Sequence, residues 1–244
     1  MYKKKIAFVV PCYNEETRLK TRYILDFLEG RENIHLLFVN DGSSDNTAHT
    51  LQELSKHTYI QFLNLTKNSG KAEAVRQGIL HCDKEPYNYI GFLDADFSTS
   101  LEELVRISQI VEEKGKKFGL GSRIKKMGAD ISRKTIRHYG GRIIATGIGM
   151  VTKLPVYDSQ CGAKVFAKDV VETLFKDPFT SKWLFDVELL IRYRKAYGTN
   201  RALNEIEEIP LKKWYEVGGS KIKLSDVIKV PLELWRIHRR YKRS

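Results

Sequence analysis

Short runs of β-branched and aromatic residues alternate with longer helix-like stretches through roughly the first half of the chain, and this alternation most restricts the available folds. The runs are Ile6 to Val10, Ile34 to Val39, Tyr59 to Leu65 and Tyr89 to Leu93. Helix-like spacing fills Glu15 to Glu29, Asp45 to Ser55, Lys71 to His81 and Leu101 to Glu113. Strand and helix taking turns every ~25–30 residues predicts β-α-β units on a parallel sheet. In such open sheets ligands bind beyond the carboxyl ends of the strands, so the polar residues after each run are the first candidates for chemistry.

The second half has a different grain. Phe118 to Gly121 reads as one more short strand, followed by a strongly basic stretch over 123–142 and a Gly-interrupted apolar segment. A strand at Ala163 to Ala167, helices near Asp169 to Phe175 and Phe185 to Tyr197, and a strand near Ala202 to Ile209 are expected to complete the sheet. Without repeats or a low-complexity linker, one domain is expected over 1–224. The tail, 225–244, mixes apolar residues with Arg236, Arg239, Arg240, Lys242 and Arg243, and Pro231 must start or kink a helix there.

Composition narrows the partners. The 42 Lys and Arg against 30 Asp and Glu leave a net charge of +12, which favours an anionic partner. Three scattered cysteines (Cys12, Cys82 and Cys161) make neither a disulfide framework nor a zinc knuckle, and they fit a reducing compartment. No signal peptide or spanning run is apparent, so the chain is expected in the cytoplasm or on a membrane, not across one.

Phe92-Leu93-Asp94-Ala95-Asp96 carries the sharpest chemistry. A strand run delivers Asp94 and Asp96 to its end, on one side because strand side chains alternate. Two such carboxylates can hold Mg²⁺ or Mn²⁺, with diphosphate and water completing the shell; a solvated turn is the plain alternative. Asp41, after the second strand, could accept hydrogen bonds from a ribose or base, whereas Gly42-Ser43-Ser44-Asp45 is ordinary turn and cap chemistry. Lys71 opens the third helix and could pair with a phosphate or with the acidic pair; an exposed lysine is the alternative.

In the basic stretch, Arg123, Lys125, Lys126, Arg133, Lys134, Arg137, His138 and Arg142 exceed what a solvated face needs. Tyr139 is the only ring among them, too little for base stacking, so a phosphate-bearing acceptor fits better than nucleic acid. Asp158 and Glu188, each before a regular element, are caps or bases to be tested. The Cys161 thiol is expected to be buried rather than reactive. Trp214 and the Gly218-Gly219-Ser220-Lys221 turn suit a loop closing over a phosphate, or a plain hairpin.

Taken together, Pro11-x-Tyr13-Asn14-Glu15, Asp41-Gly42-Ser43-Ser44-Asp45, Asn68-x-Gly70-Lys71, Asp94-Ala95-Asp96, Gly121-Ser122-Arg123, Asp158-Ser159-Gln160-Cys161-Gly162 and Gly219-Ser220-Lys221 resemble an inverting family 2 glycosyltransferase. Phe185-Asp186-Val187-Glu188 and Trp214-x-Glu216-Val217-x-Gly219-Ser220-Lys221 are similar to the dolichyl-phosphate β-glucosyltransferase and bacterial polyprenyl-phosphate branch.

The resemblance implies an α/β GT-A fold, with a Rossmann-like, mainly parallel sheet flanked by helices; the tail's own residues add a basic amphipathic C-terminal helix. It also implies Mg²⁺ or Mn²⁺ on Asp96 and Asp94, and a nucleotide pocket of Pro11, Tyr13, Asn14, Glu15, Asp41, Lys71 and Asp94. Catalysis would involve Asp96, Arg123 and Asp158. The acceptor phosphate would be held by Arg123, Ser132, Arg133 and Arg137, and the diphosphate assisted by Ser220 and Lys221. The expected reaction moves glucose from UDP-glucose, with inversion, onto a polyprenyl phosphate at an anionic membrane surface on the cytoplasmic side. GDP-mannose is the next donor. A transferase acting on a polysaccharide or glycolipid hydroxyl is the first alternative, a non-enzymatic nucleic-acid or membrane binder the second. The processive Q-x-x-R-W pattern is absent, which points to a single transfer.

Overall fold

The computed structural model describes residues 4–124, 130–132, 147–215, 217 and 229–243. A seven-stranded sheet runs in the order β3-β2-β1-β4-β7-β5-β8. Its strands are β1 (Ile6–Cys12), β2 (Ile34–Asp41), β3 (Ile60–Leu65), β4 (Tyr89–Phe92), β5 (Phe118–Ser122), β7 (Lys164–Ala167) and β8 (Ile206–Pro210). Every pairing is parallel except those of β7, which lies antiparallel between β4 and β5. Strands β6 (Asp130–Ser132) and β9 (Lys213–Tyr215) form a separate parallel pair. The chain order reverses at β1, between β2 and β4, and at such a switch point a crevice opens beyond the strand ends.

Both faces of the sheet are covered, which is why the strands are apolar on consecutive residues. Ile6, Phe8 and Val10 of β1 pack with α1 (Thr21–Leu28), α2 (Thr47–Leu54) and α4 (Leu101–Glu113). Ala7 and Val9 pack on the other face, with α3 (Lys71–Asp83), α5 (Lys168–Phe175), α6 (Phe185–Tyr197) and α7 (Thr199–Glu205). The last helix, α8 (Val230–Arg243), begins with Pro231 in its first turn, where the missing amide costs no helical hydrogen bond. Its Val230, Leu234 and Ile237 are buried against Leu184, Val187 and Ile191 of the α6 region.

Two boundaries differ from the sequence reading. Residues 15–20 do not join the first helix, which starts at Thr21. Asn14 takes a left-handed φ of 50° and ties this segment to the next loop instead. Residues 202–205 are helical rather than strand: Gly198, at φ 86°, ends α6 and starts α7, so the strand begins only at Ile206.

Candidate functional site

Three loops at the carboxyl ends of β1, β2 and β4 meet a fourth at the start of α3. Asn14 bridges the first two. Its Oδ1 accepts from the Ser44 amide (2.9 Å), and its own amide donates to Ser43 Oγ (3.0 Å). The Glu15 amide donates to Thr47 Oγ1 (2.8 Å), and Asp45, not Ser44, receives the Thr47 amide (3.0 Å). Tyr13 stands partly exposed beside Pro11.

Asp41 lies at the end of β2 and is buried. Its two carboxylate oxygens accept from the amides of Ser69 (2.7 Å) and Gly70 (2.8 Å). The side chain that sequence reading offered to a ribose or base therefore fixes the turn that launches α3. Gly42 suits this close passage, because a Cβ there would meet the Asn68 nitrogen at 2.5 Å. Gly70, at φ 91°, closes the turn, and Lys71 follows as the first helical residue.

Lys71 reaches Asp94 across the crevice at 2.5 Å. Burial alone would lower the Lys71 pKa, but Asp94, then Asp186, then Asp96 outweigh it, and the ammonium titrates above its usual range. Asp96 accepts from the Ser98 amide (2.9 Å) and faces Arg18 at 3.7 Å; Arg18 also pairs with Glu15 at 3.5 Å.

The two acidic residues do not converge by strand alternation, as the sequence reading had it. Strand β4 stops at Phe92, and the chain turns, with Phe97 donating its amide to the Asp94 carbonyl (3.1 Å). Phe97 holds a left-handed φ of 51°, a costly backbone state for a bulky residue. The strain is braced by an edge-on contact with the Tyr23 ring at 5.5 Å.

Opposite lies Arg123, just past β5. Asp158 accepts from its Nε and Nη2 (2.7 Å each) and from its backbone amide (3.0 Å). Burial opposes the Arg123 charge, but the Asp158 hydrogen bonds and field more than compensate and raise its pKa. The guanidinium also lies 5.5 Å from the Trp214 ring centroid. Asp158 is thus committed to holding Arg123, with both oxygens engaged, and is not arranged as a base. Glu188 is fully buried, accepting from the amides of Thr180 (2.9 Å) and Ser181 (2.8 Å) and from the Tyr241 hydroxyl (2.9 Å), so it is engaged as a structural anchor. Cys161 is buried as expected, its thiol pushed by burial up to about 11.

Arg133, Arg137, Ser220 and Lys221, together with the rest of the basic stretch from Lys125 to Lys126 and from Lys134 to Arg142, lie outside the described residues. Ser132 ends β6, in register with Tyr215.

Two buried residues behind the crevice were not singled out from sequence. Lys164, in β7, is fully buried and lies 2.7 Å from Asp186, itself on the first turn of α6. A lysine inside the otherwise apolar run Ala163 to Ala167 was the available signal, since lysine is almost never fully buried unless paired. Asp186 was hidden by Glu188 two residues on, because helical periodicity alone does not say which acidic residue faces the strand ends.

No group of three or more His, Cys, Asp or Glu among the described residues could cage a metal ion by itself. Asp94 and Asp96 offer hard oxygen donors at the crevice mouth, their side chains 37% and 26% exposed. That set fits a Mg²⁺ or Mn²⁺ ion shared with substrate oxygens, since such ions commonly bind through one or two carboxylates plus phosphate.

Residues 7–175 match the sequence profile described as Glycosyl transferase family 2. The chain belongs to this family. Within it, a dolichyl-phosphate beta-glucosyltransferase from Trichomonas vaginalis is 33% identical over 95% of this chain and 70% of its own length. The Saccharomyces cerevisiae dolichyl-phosphate beta-glucosyltransferase is 31% identical over 97% of this chain and 75% of its own length. Among solved structures, Mycobacterium tuberculosis glucosyl-3-phosphoglycerate synthase, crystallised with Mn²⁺, UDP-glucose and phosphoglyceric acid, superposes with a TM-score of 0.69. At 15% identity, covering 97% of this chain and 80% of that one, this likeness establishes the shared GT-A fold. No helix among the described residues is long and apolar enough to cross a membrane.

Proposed function

We propose that this family 2 glycosyltransferase moves glucose from UDP-glucose, with inversion, onto the phosphate of a polyprenyl lipid such as dolichyl or undecaprenyl phosphate. The similar glucosyltransferases named above support glucose as the sugar and a polyprenyl phosphate as the acceptor, and UDP-glucose is the donor crystallised in the structural neighbour. The observation that carries the reading is Arg123, a cation fixed by Asp158 at the crevice and close enough to Asp94 to feel its charge. Asp158 and Glu188, the carboxylates considered as bases, are themselves taken up by Arg123 and by backbone amides with Tyr241. A hydroxyl acceptor needs a base to take its proton. A phosphate monoester, with its second pKa near ~6, is already a largely dianionic nucleophile at neutral pH.

Asp94 and Asp96 would hold Mg²⁺ or Mn²⁺ with the donor diphosphate, and the ion would supply Lewis-acid stabilisation of the departing nucleoside diphosphate. Lys71 would pair with the same diphosphate. Asn14 and Asp41 hold the loops that line the nucleotide side. Arg123, held by Asp158 and Trp214, would orient the acceptor phosphate toward the anomeric carbon, and its fixed fork favours two-point phosphate contact. Arg133, Arg137, Ser132, Ser220 and Lys221 belong to the same proposal as acceptor and diphosphate contacts.

For a lipid acceptor we further place the enzyme peripherally on the cytoplasmic face of a membrane. Leu232 and Trp235 are exposed on α8, with Arg239 5.3 Å from the Trp235 ring, a composition suited to an anionic headgroup layer.

The decisive experiment offers purified protein, Mg²⁺ or Mn²⁺ and a polyprenyl phosphate to a panel of sugar nucleotides and measures glycolipid. Transfer from UDP-glucose is expected. Transfer to a sugar hydroxyl with none to lipid phosphate would reject the reading.

A further inference from the structure

Beneath Lys71 lies a buried carboxylate that the reading above does not use. Asp186 is 4% exposed, and its Oδ1 meets the Lys164 ammonium at 2.7 Å without well-aligned hydrogen-bond geometry. Lys164 spends a hydrogen bond elsewhere, on the Cys161 carbonyl (2.6 Å). The two lysines are linked through aromatic rings. Lys164 lies 5.5 Å from the Phe92 centroid and Lys71 5.9 Å from that of Phe185, while the two rings are 5.6 Å apart. Phe185 immediately precedes Asp186, and the charges of Asp186 and Lys71 act on one another.

A buried carboxylate short of hydrogen bonds is costly unless a donor arrives. Lys71 is the nearby donor, and its present partner, Asp94, is the residue expected to turn to the donor substrate.

We propose that Asp186 is a second seat for Lys71. In the free protein Lys71 is bonded to Asp94. When Asp94 engages the donor, Lys71 passes to Asp186 and keeps its remaining protons for the diphosphate; an ammonium has three to give. Asp186 is then a positioning residue, acting on the substrate through Lys71, and Lys164 is its standing counter-ion in the core. The proposal rests on the nucleotide-sugar reading.

The test measures UDP affinity in the presence of Mn²⁺ by calorimetry, and donor KM and kcat with UDP-glucose. The proteins compared are the wild type, Asp186→Asn, Lys164→Met and the double variant. Asp186→Asn and the double variant are expected to lose UDP affinity and raise the donor KM about ten-fold, with kcat changed less. Lys164→Met leaves Asp186 available to Lys71 and is expected to stay within about three-fold of wild type.

A merely structural ion pair predicts another pattern: the two single variants suffer alike, and the double variant, which buries no uncompensated charge, recovers. That pattern, or wild-type affinity in Asp186→Asn, overturns the proposal. Should Asp186→Asn fail to fold, the double variant compared with Lys164→Met decides in the same way. A wild type that binds UDP but moves no glucose to lipid phosphate refutes the functional reading alone, and the series is still read with UDP. A wild type that binds no UDP refutes both.

Discussion

Gly162 stands so close to Asp94 that a Cβ at 162 would lie 2.1 Å from the Asp94 Oδ2. The glycine that ends the Asp158-Ser159-Gln160-Cys161-Gly162 segment therefore sets the position of an acidic side chain from a different loop. We predict that Gly162→Ala pushes the Asp94 carboxylate aside while the sheet stays intact. A misplacement of about 1 Å costs on the order of 10²-fold in rate. Steady-state transfer assays paired with circular dichroism check this, and unchanged activity would refute it.

Asp96→Asn tests the metal-binding role. The Asp96 side chain is partly exposed and braces little beyond the Ser98 amide and Arg18, so folding should survive. On the proposed role of Asp96 as a metal ligand, removing its charge should cut kcat by about 10²-fold or more, about 3 kcal/mol of lost stabilisation. Mn²⁺ titration followed by calorimetry should show weakened binding in parallel. Full activity at ordinary metal concentration would dismiss the assignment.

Asp41→Ala should act at a distance. It strands the amides of Ser69 and Gly70 and releases the turn before Lys71. Unsatisfied amides cost about 1–3 kcal/mol each when buried and less when partly buried, as Ser69 and Gly70 are, so a modestly lower melting temperature is expected together with a raised donor KM. A loss of stability with donor KM untouched would mean that the turn does not govern Lys71.

The cysteines make a pH prediction. Burial pushes the Cys82 thiol from 9.0 to about 12 and that of Cys161 to about 11. In the unfolded chain these thiols lose their protons near the ordinary value, whereas the folded chain keeps them. Above about pH 9 the unfolded state binds fewer protons, so stability falls as pH rises toward the folded values. Denaturant midpoints measured across that range should decline. At neutral pH a thiol reagent should label none of Cys12, Cys82 and Cys161 until the chain is unfolded, all three being buried.

Tyr241→Phe tests the seam between α8 and the domain. The Tyr241 hydroxyl donates to Glu188 and accepts from Arg192 Nε at 2.8 Å. Its loss should destabilise the protein by about 1–3 kcal/mol, seen as an earlier denaturant midpoint. By contrast, Leu232→Asp with Trp235→Asp lies on the exposed face and should reduce sedimentation with anionic vesicles while leaving that midpoint in place. Equal vesicle binding would remove α8 from the membrane proposal.

The sheet was legible from β-branched runs and their spacing. Each strand end, Cys12, Asp41 and Phe92, falls within about two residues of where the apolar run stops, because local propensity and burial on both faces act on consecutive residues. Pro231 allowed either a helix start or a kink, and the helix begins beside it at Val230. The β8 boundary was not legible, because Ala202 is apolar in either reading and only the left-handed Gly198 restarts a helix ahead of it. In the site, the roster of charged residues at strand ends was visible, but their partners were not. Asp158 read equally well as a base or a cap, and only the fold brings Arg123 to it with two-point geometry.

By itself, then, the sequence determined the alternation of layers and the loops on which polar chemistry would fall, since both follow from neighbours along the chain. The tertiary structure alone decided which acid meets which cation. Lys71 faces Asp94, Arg123 holds Asp158, and Lys164 is sealed in with Asp186, each pair joining separate segments. Such pairings depend on burial and long-range approach, where a carboxylate's role is set by the charges packed around it and not by its place in a motif.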